Sequence, residues 1–175
     1  GITNPSQNLS NTPIETLESQ LPVRVEEYAL VPDSCGAGRW RGGLGLSRSY
    51  RLLSDEAGLQ LRADRMRFRP YGLQGGGSAP GSRNTLIGVD GSVEPLPSKI
   101  NRRMVRGEMV HHVQSGGGGF GDPMVRDPEL VANDVWNEKI TVDYARQQHG
   151  VVVDADSGHI DHVGTAALRN ITVEV

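Results

Sequence analysis

Pro22-Val23-Arg24-Val25-Glu26-Glu27-Tyr28-Ala29-Leu30-Val31-Pro32 decides the fold class. Val23, Val25, Tyr28 and Leu30 recur with a period near two between bounding prolines, the pattern of a half-buried strand with an irregularity at Glu26 and Glu27. The turn cluster 32–38 and Arg39-Trp40-Arg41-Gly42-Gly43 lead to a second run, 44–53, with apolar positions at Leu44, Leu46, Tyr50 and Leu52. Residues 58–64 give a third strand with Leu59, Leu61 and Ala63 on one face. Residues 84–89 make a fourth, closed by the tight-turn dipeptide Asp90-Gly91, and 108–114 another. About six strands separated by Gly/Pro loops, with no helices between them, predict an α+β chain. Its main part, residues 22–125, is a mostly antiparallel β-rich sandwich or barrel-like unit.

Both flanks read differently. Residues 1–21 are polar and interrupted by Pro5 and Pro13, and predict an extended arm with one helical turn at 13–17. Beyond Asp122, Asp127-Pro128-Glu129 starts a helix: Asp caps, Pro takes the first turn and Glu faces the positive dipole end. Leu130, Val131, Val135 and Trp136 are its expected apolar face. Thr141-Val142-Asp143 starts a second helix that Gly150 stops, and 163–170 is a last helical stretch. Residues 126–175 form a small C-terminal helical appendage.

With 175 residues and 18.9 kDa, the chain suits one compact domain or a core with an appendage. Its formal charge of -3 argues against a nucleic-acid partner held by bulk charge. No apolar run is long enough to span a membrane, and no signal-peptide pattern opens the chain. A single Cys excludes an intrachain disulfide framework and suits a reducing, cytoplasmic compartment.

Chemistry is best sought in the glycine clusters. Gly116-Gly117-Gly118-Gly119-Phe120-Gly121-Asp122-Pro123 follows a strand directly. Such a loop either turns bare N–H groups toward an anion or substrate carbonyl, or lets two backbones cross closely. It is no P-loop, because Gly-Lys-Ser/Thr is absent, and no dinucleotide fingerprint. A second cluster, Gly75-Gly76-Gly77-Ser78-Ala79-Pro80-Gly81, follows the basic residues Arg62, Arg65, Arg67 and Arg69. These could grip a carboxylate or phosphate, or Asp64 could pair with Arg62 or Arg65 in a structural network. Arg39 and Arg41 flank Trp40, with stacking or core packing the expected role. His111 and His112 point to opposite faces of a strand, the His159–His162 stretch lacks calcium-loop spacing, and Cys35 has no His at a diagnostic distance. No metal site is expected in this chain.

The order of motifs resembles one family. Asn11-Thr12-Pro13-Ile14-Glu15 with Leu17-Glu18, then Pro32-Asp33-Ser34 and Gly36-Ala37-Gly38-Arg39-Trp40-Arg41-Gly42-Gly43-Leu44-Gly45, resemble the hydantoinase B/oxoprolinase family. So do Leu61-Arg62-Ala63-Asp64-Arg65, Leu96-Pro97-Ser98-Lys99, Gly116 to Pro123, and the tail with Thr141-Val142 and Thr165-Ala166-Ala167-Leu168-Arg169. Ala63 departs from the glycine common at that place in the family.

The resemblance implies the C-terminal third of a family protein that opens cyclic amides with ATP, as N-methylhydantoinase and 5-oxoprolinase do. A hydantoinase A-type, actin-like ATPase partner, carrying ATP and Mg, would phosphorylate the substrate's amide oxygen, and the B-type subunit would act on the product. A divalent metal is expected in the N-terminal portion of such a subunit. Related assemblies carboxylate acetone or acetophenone. Beside this, the residues suggest Arg65 and Lys99 as catalytic, with Arg62, Asp64, Gly116, Gly117, Gly118, Gly119 and Asp122 contacting substrate or phosphate. The rival reading is a non-catalytic assembly module in which the glycine loops serve packing.

Overall fold

The computed structural model describes residues 12–170, so most of the predicted N-terminal arm, with Asn11 of the family motif, lies outside the described residues. The chain divides into two compact units, each drawn from separate stretches: 1–29, 46–68 and 81–114 in one, 30–45, 69–80 and 115–175 in the other.

The first unit is an antiparallel β-sandwich. A short helix, α1 (Ile14–Gln20), precedes β1 (Val23–Val31), whose alternating burial holds at Val23 and Val25 and then stops: Tyr28 and Leu30, expected on the half-buried face, are exposed. Six strands follow: β2 (Gly45–Leu52), β3 (Glu56–Arg62), β4 (Arg83–Ile87), β5 (Val93–Leu96), β6 (Lys99–Val105) and β7 (Met109–Val113). One sheet has the order β1-β2-β7-β4-β5, and β3 pairs with β6 alone in a second. Leu52, Leu86, Leu96 and Val110 from the first sheet meet Met104, Ile100, Leu59 and Leu61 from the second, closing the core. The chain switches sheets four times, and two of these crossings, at 53–55 and at Arg106-Gly107, where Gly107 has φ 89°, lie side by side. The two crossings are stitched together by Arg106 N–H to Asp55 C=O (3.0 Å) and Gly107 N–H to Leu52 C=O (2.9 Å).

Two further features of this unit differ from the sequence reading. Strands β5 and β6 were not predicted: Pro95 interrupts one, and Arg102 and Arg103 hide the alternation of the other. Pro95 is tolerated because β5 is an edge strand. In β2 the deeply buried positions include Ser47 and Ser49 rather than Leu46 and Tyr50, which are half-buried. Ser47 Oγ is satisfied by His111 Nε2 at 2.9 Å, so a polar face can be buried.

The second unit combines glycine-rich loops with α2 (Pro128–Trp136), α3 (Val142–His149), the hairpin β8 (Val152–Val153) and β9 (Ile160–Asp161), and α4 (His162–Arg169). Its helix starts are the ones the sequence signals: Asp127 accepts from Glu129 N–H (3.0 Å), and Thr141 Oγ1 from Tyr144 N–H (3.1 Å). Each such cap contributes about 1 kcal/mol. Gly150 closes α3 in the left-handed conformation. Val131, Ile140, Ala145 and Val151 form the core with Cys35 and Leu44. On α2 the buried positions are Val131, Ala132 and Asp134, whereas Leu130 and Trp136 are exposed, a correction to the expected apolar face.

Candidate functional site

The residues singled out in the sequence fall into both units. In the sandwich unit, the antiparallel register sets Arg62 directly across from Lys99 at the end of the β3–β6 pair. Both side chains are exposed, and neither forms an ion pair or side-chain hydrogen bond with any described residue. Like charges placed opposite each other weaken a strand pair, so this end of the ribbon stores repulsion that an anion would relieve.

Just past Arg62 the chain turns. Ala63 N–H still reaches Ser98 C=O (2.7 Å), but Arg65 adopts φ 65°, a left-handed backbone that non-glycine residues avoid. The turn is pinned from behind: Ser82 Oγ donates to Asp64 C=O, and Ser82 N–H to Arg65 C=O (3.1 Å). Asp64 makes no ion pair with Arg62 or Arg65, so the structural network weighed for these residues is not what they form.

In the other unit, the loops 36–43, 72–77 and 116–121 interleave through main chain. Gly36 N–H donates to Gly117 C=O (2.8 Å), Gly117 to Gly43 (2.9 Å), Gly77 to Ala37 (2.7 Å) and Gly119 to Gly77 (2.9 Å). Leu73 N–H donates to Gly119 C=O (2.9 Å), and Trp40 and Phe120 exchange a pair of bonds at 3.0 and 2.8 Å. Gly116 to Gly119 do not use the left-handed region. What they supply is space: a Cβ on Gly118 would overlap the Tyr71 carbonyl, and one on Gly116 the Ser34 carbonyl. Thus the N–H groups of Gly117 and Gly119 are already used inside the lattice. Those of Gly116 and Gly118 donate to no described backbone carbonyl. Asp122, which follows, accepts from Met124 N–H at 2.9 Å and caps a short 3-10 turn.

Sequence reasoning missed a buried charge network in this unit. Asp134 accepts two bonds from Arg41 (2.7 and 2.9 Å) and one from Arg126 (2.9 Å). Burial pushes the Asp134 carboxyl up, but its bonds to Arg41 and the charges of Arg41 and Arg126 outweigh this and hold it below its ordinary value. An acid between Val131 and Val135 on an amphipathic helix was the available signal. Nearby, His149 is fully buried, and burial holds its imidazole below the usual value. His112 is depressed for the same reason, with the charges of Arg48 and His111 adding to it. Cys35 is 1% exposed and its thiol is pushed up by burial, a setting adverse to nucleophilic attack. Among the described residues no cluster of three or more His, Cys, Asp or Glu could hold a metal ion.

Known proteins resemble this chain in sequence, and solved structures resemble it in fold. An uncharacterized protein of Methanocaldococcus jannaschii is 38% identical over 163 residues, covering 92% of this chain and 29% of that one. The crystal structure of an ATP-dependent caprolactamase from Pseudomonas jessenii matches with a TM-score of 0.77 and 33% identity, over 90% of this chain and 28% of that one. A nucleotide-free acetone carboxylase shares the fold, with a TM-score of 0.78 at 22% identity over 91% of this chain and 26% of that chain. The chain therefore spans under a third of the length of these relatives. The model of the hydantoinase B/oxoprolinase family matches residues 1–123, and the chain belongs to that family.

Proposed function

We propose that this chain works as part of an ATP-dependent cyclic-amide hydrolase of the hydantoinase/oxoprolinase type, contributing contacts to a phosphorylated intermediate. The observation that carries the reading is the unneutralised apposition of Arg62 and Lys99, with Arg65 held in the adjoining turn. Phosphorylating an unstrained amide's oxygen makes its carbon more electrophilic. Water adds there, the C–N bond breaks with the proton going to nitrogen, and the acyl phosphate left behind is hydrolysed to carboxylate and inorganic phosphate. ATP and Mg would be supplied by a hydantoinase A-type ATPase partner, and a divalent metal by the N-terminal portion of a family-length B-type subunit. The phosphorylated substrate carries extra negative charge where Arg65 and Lys99 can meet it, with Arg62 beside them. Asp64, in the same turn as Arg65, is a further candidate contact. The ring-opening activity named for the Pseudomonas jessenii caprolactamase supports hydrolysis over the carboxylase alternative, whose structural relative is more distant in sequence.

The test is turnover of the assembled enzyme on caprolactam, hydantoin or 5-oxoproline with ATP. Arg65→Ala and Lys99→Ala should each lower kcat by about a hundredfold or more, the scale for losing one electrostatic contact to a developing charge. Sedimentation should show intact complexes. Wild-type rates would overturn the reading. Dissociated complexes would favour the assembly-module alternative instead.

A further inference from the structure

The sandwich unit has unequal layers: five strands in one sheet, two in the other. Among the described residues no strand pairs along the second edge of β3, so its outward N–H and C=O groups lack sheet partners. A cavity of about 510 Å³ runs beside that edge. Every residue from Ala57 to Ala63 lines it. Side chains of a strand alternate between faces, so a cavity on one face would touch every second residue; an unbroken run means that it borders the backbone edge. Leu52, Val110 and Met104 make its walls apolar, and Leu17 and Leu21 add to them from the α1 end.

Gly58 is a second, independent sign. It sits inside β3 without a left-handed backbone, and a Cβ there would meet nothing within 4 Å. Glycine weakens a strand, and none of the described residues requires it at that place. Bare glycine on an edge strand leaves room for a bulky side chain from a neighbouring strand.

We propose that the β3 edge, Glu56–Arg62, is completed by an added β-strand whose alternate apolar side chains fill the cavity. The strand belongs to the part of a family-length B-type polypeptide that this chain does not span. That part is large, since the chain covers 28% of the caprolactamase chain that shares its fold. An open edge selects an extended segment over a helix, because only a strand supplies main-chain partners in register.

Peptides of about ten residues, the length of a long strand, would be made to tile the unmatched part of the Pseudomonas jessenii caprolactamase chain. Each would be added to the 175-residue chain while amide hydrogen exchange is followed by NMR. One peptide should slow alternate amides of β3 about tenfold or more. A copy N-methylated at alternate residues should not, because it cannot pair along an edge. The proposal is overturned if no peptide slows β3, or if the methylated copy protects equally, since side chains alone would then fill the cavity. It is also overturned if protection grows with protein concentration without peptide, because the occupant would be a second copy of this chain.

Discussion

In the sandwich unit Leu52, Leu86, Leu96 and Val110 meet side chain to side chain, whereas in the glycine-loop unit loops 36–43, 72–77 and 116–121 meet carbonyl to Cα. The first kind of contact is soft. A truncated side chain leaves a gap that neighbours partly fill, and an enlarged one can change rotamer. The second kind has no such slack, because the obstructing atoms are peptide groups held by hydrogen bonds. Tolerance of substitution should therefore differ sharply between the units, and three measurements examine that.

The largest effect is expected at Gly118→Val. Its branches would be forced into the Tyr71 carbonyl, so the loss should exceed about 4 kcal/mol, the range reserved for gross backbone or packing failures. Urea titration followed by Trp fluorescence would read it, and a loss below 1 kcal/mol would erase the contrast. Leu86→Ala, at 3% exposure in the sandwich core, should cost about 2–5 kcal/mol with the glycine loops still protected from hydrogen exchange.

The smallest effect is in pH. His149 is buried neutral, with Nδ1 3.2 Å from Pro123 C=O. Its folded value lies below its unfolded one, so the unfolded chain binds the extra proton first as the solution is acidified. Stability from this group is present above about pH 6.5 and declines below it, until the folded imidazole is itself protonated. Asp134 acts in the same direction at lower pH: its depressed carboxyl gives stability above the usual Asp range that is lost on acidification. Urea midpoints at pH 7.5 and 5.5 should differ in the wild type and converge in His149→Gln.

The same contrast explains what could be read from the sequence. Strands and helix caps follow local rules, so β1, β3, β4 and β7, the Asp127 and Thr141 caps and the Gly150 stop were legible. β6 was not, because its outward positions are Lys99, Asn101 and Arg103 and the intervening Arg102 blurs the period. The glycine clusters announced themselves, but which carbonyl each N–H meets depends on loops some forty to eighty residues apart. Arg62 and Lys99 stood out as cations, whereas their apposition needs the register of a strand the sequence did not reveal. Asp134 was hidden because an acid among valines reads as a helix surface until its arginine partners arrive from 41 and 126.

Cys35 has a practical corollary. It is the chain's sole sulfhydryl, and it sits with its sulfur 3.7 Å from the Tyr144 hydroxyl. An alkylating reagent can reach it only when that corner of the molecule breathes open, so the labelling rate becomes an intrinsic clock for local opening. No engineered probe or added dye is needed to time it.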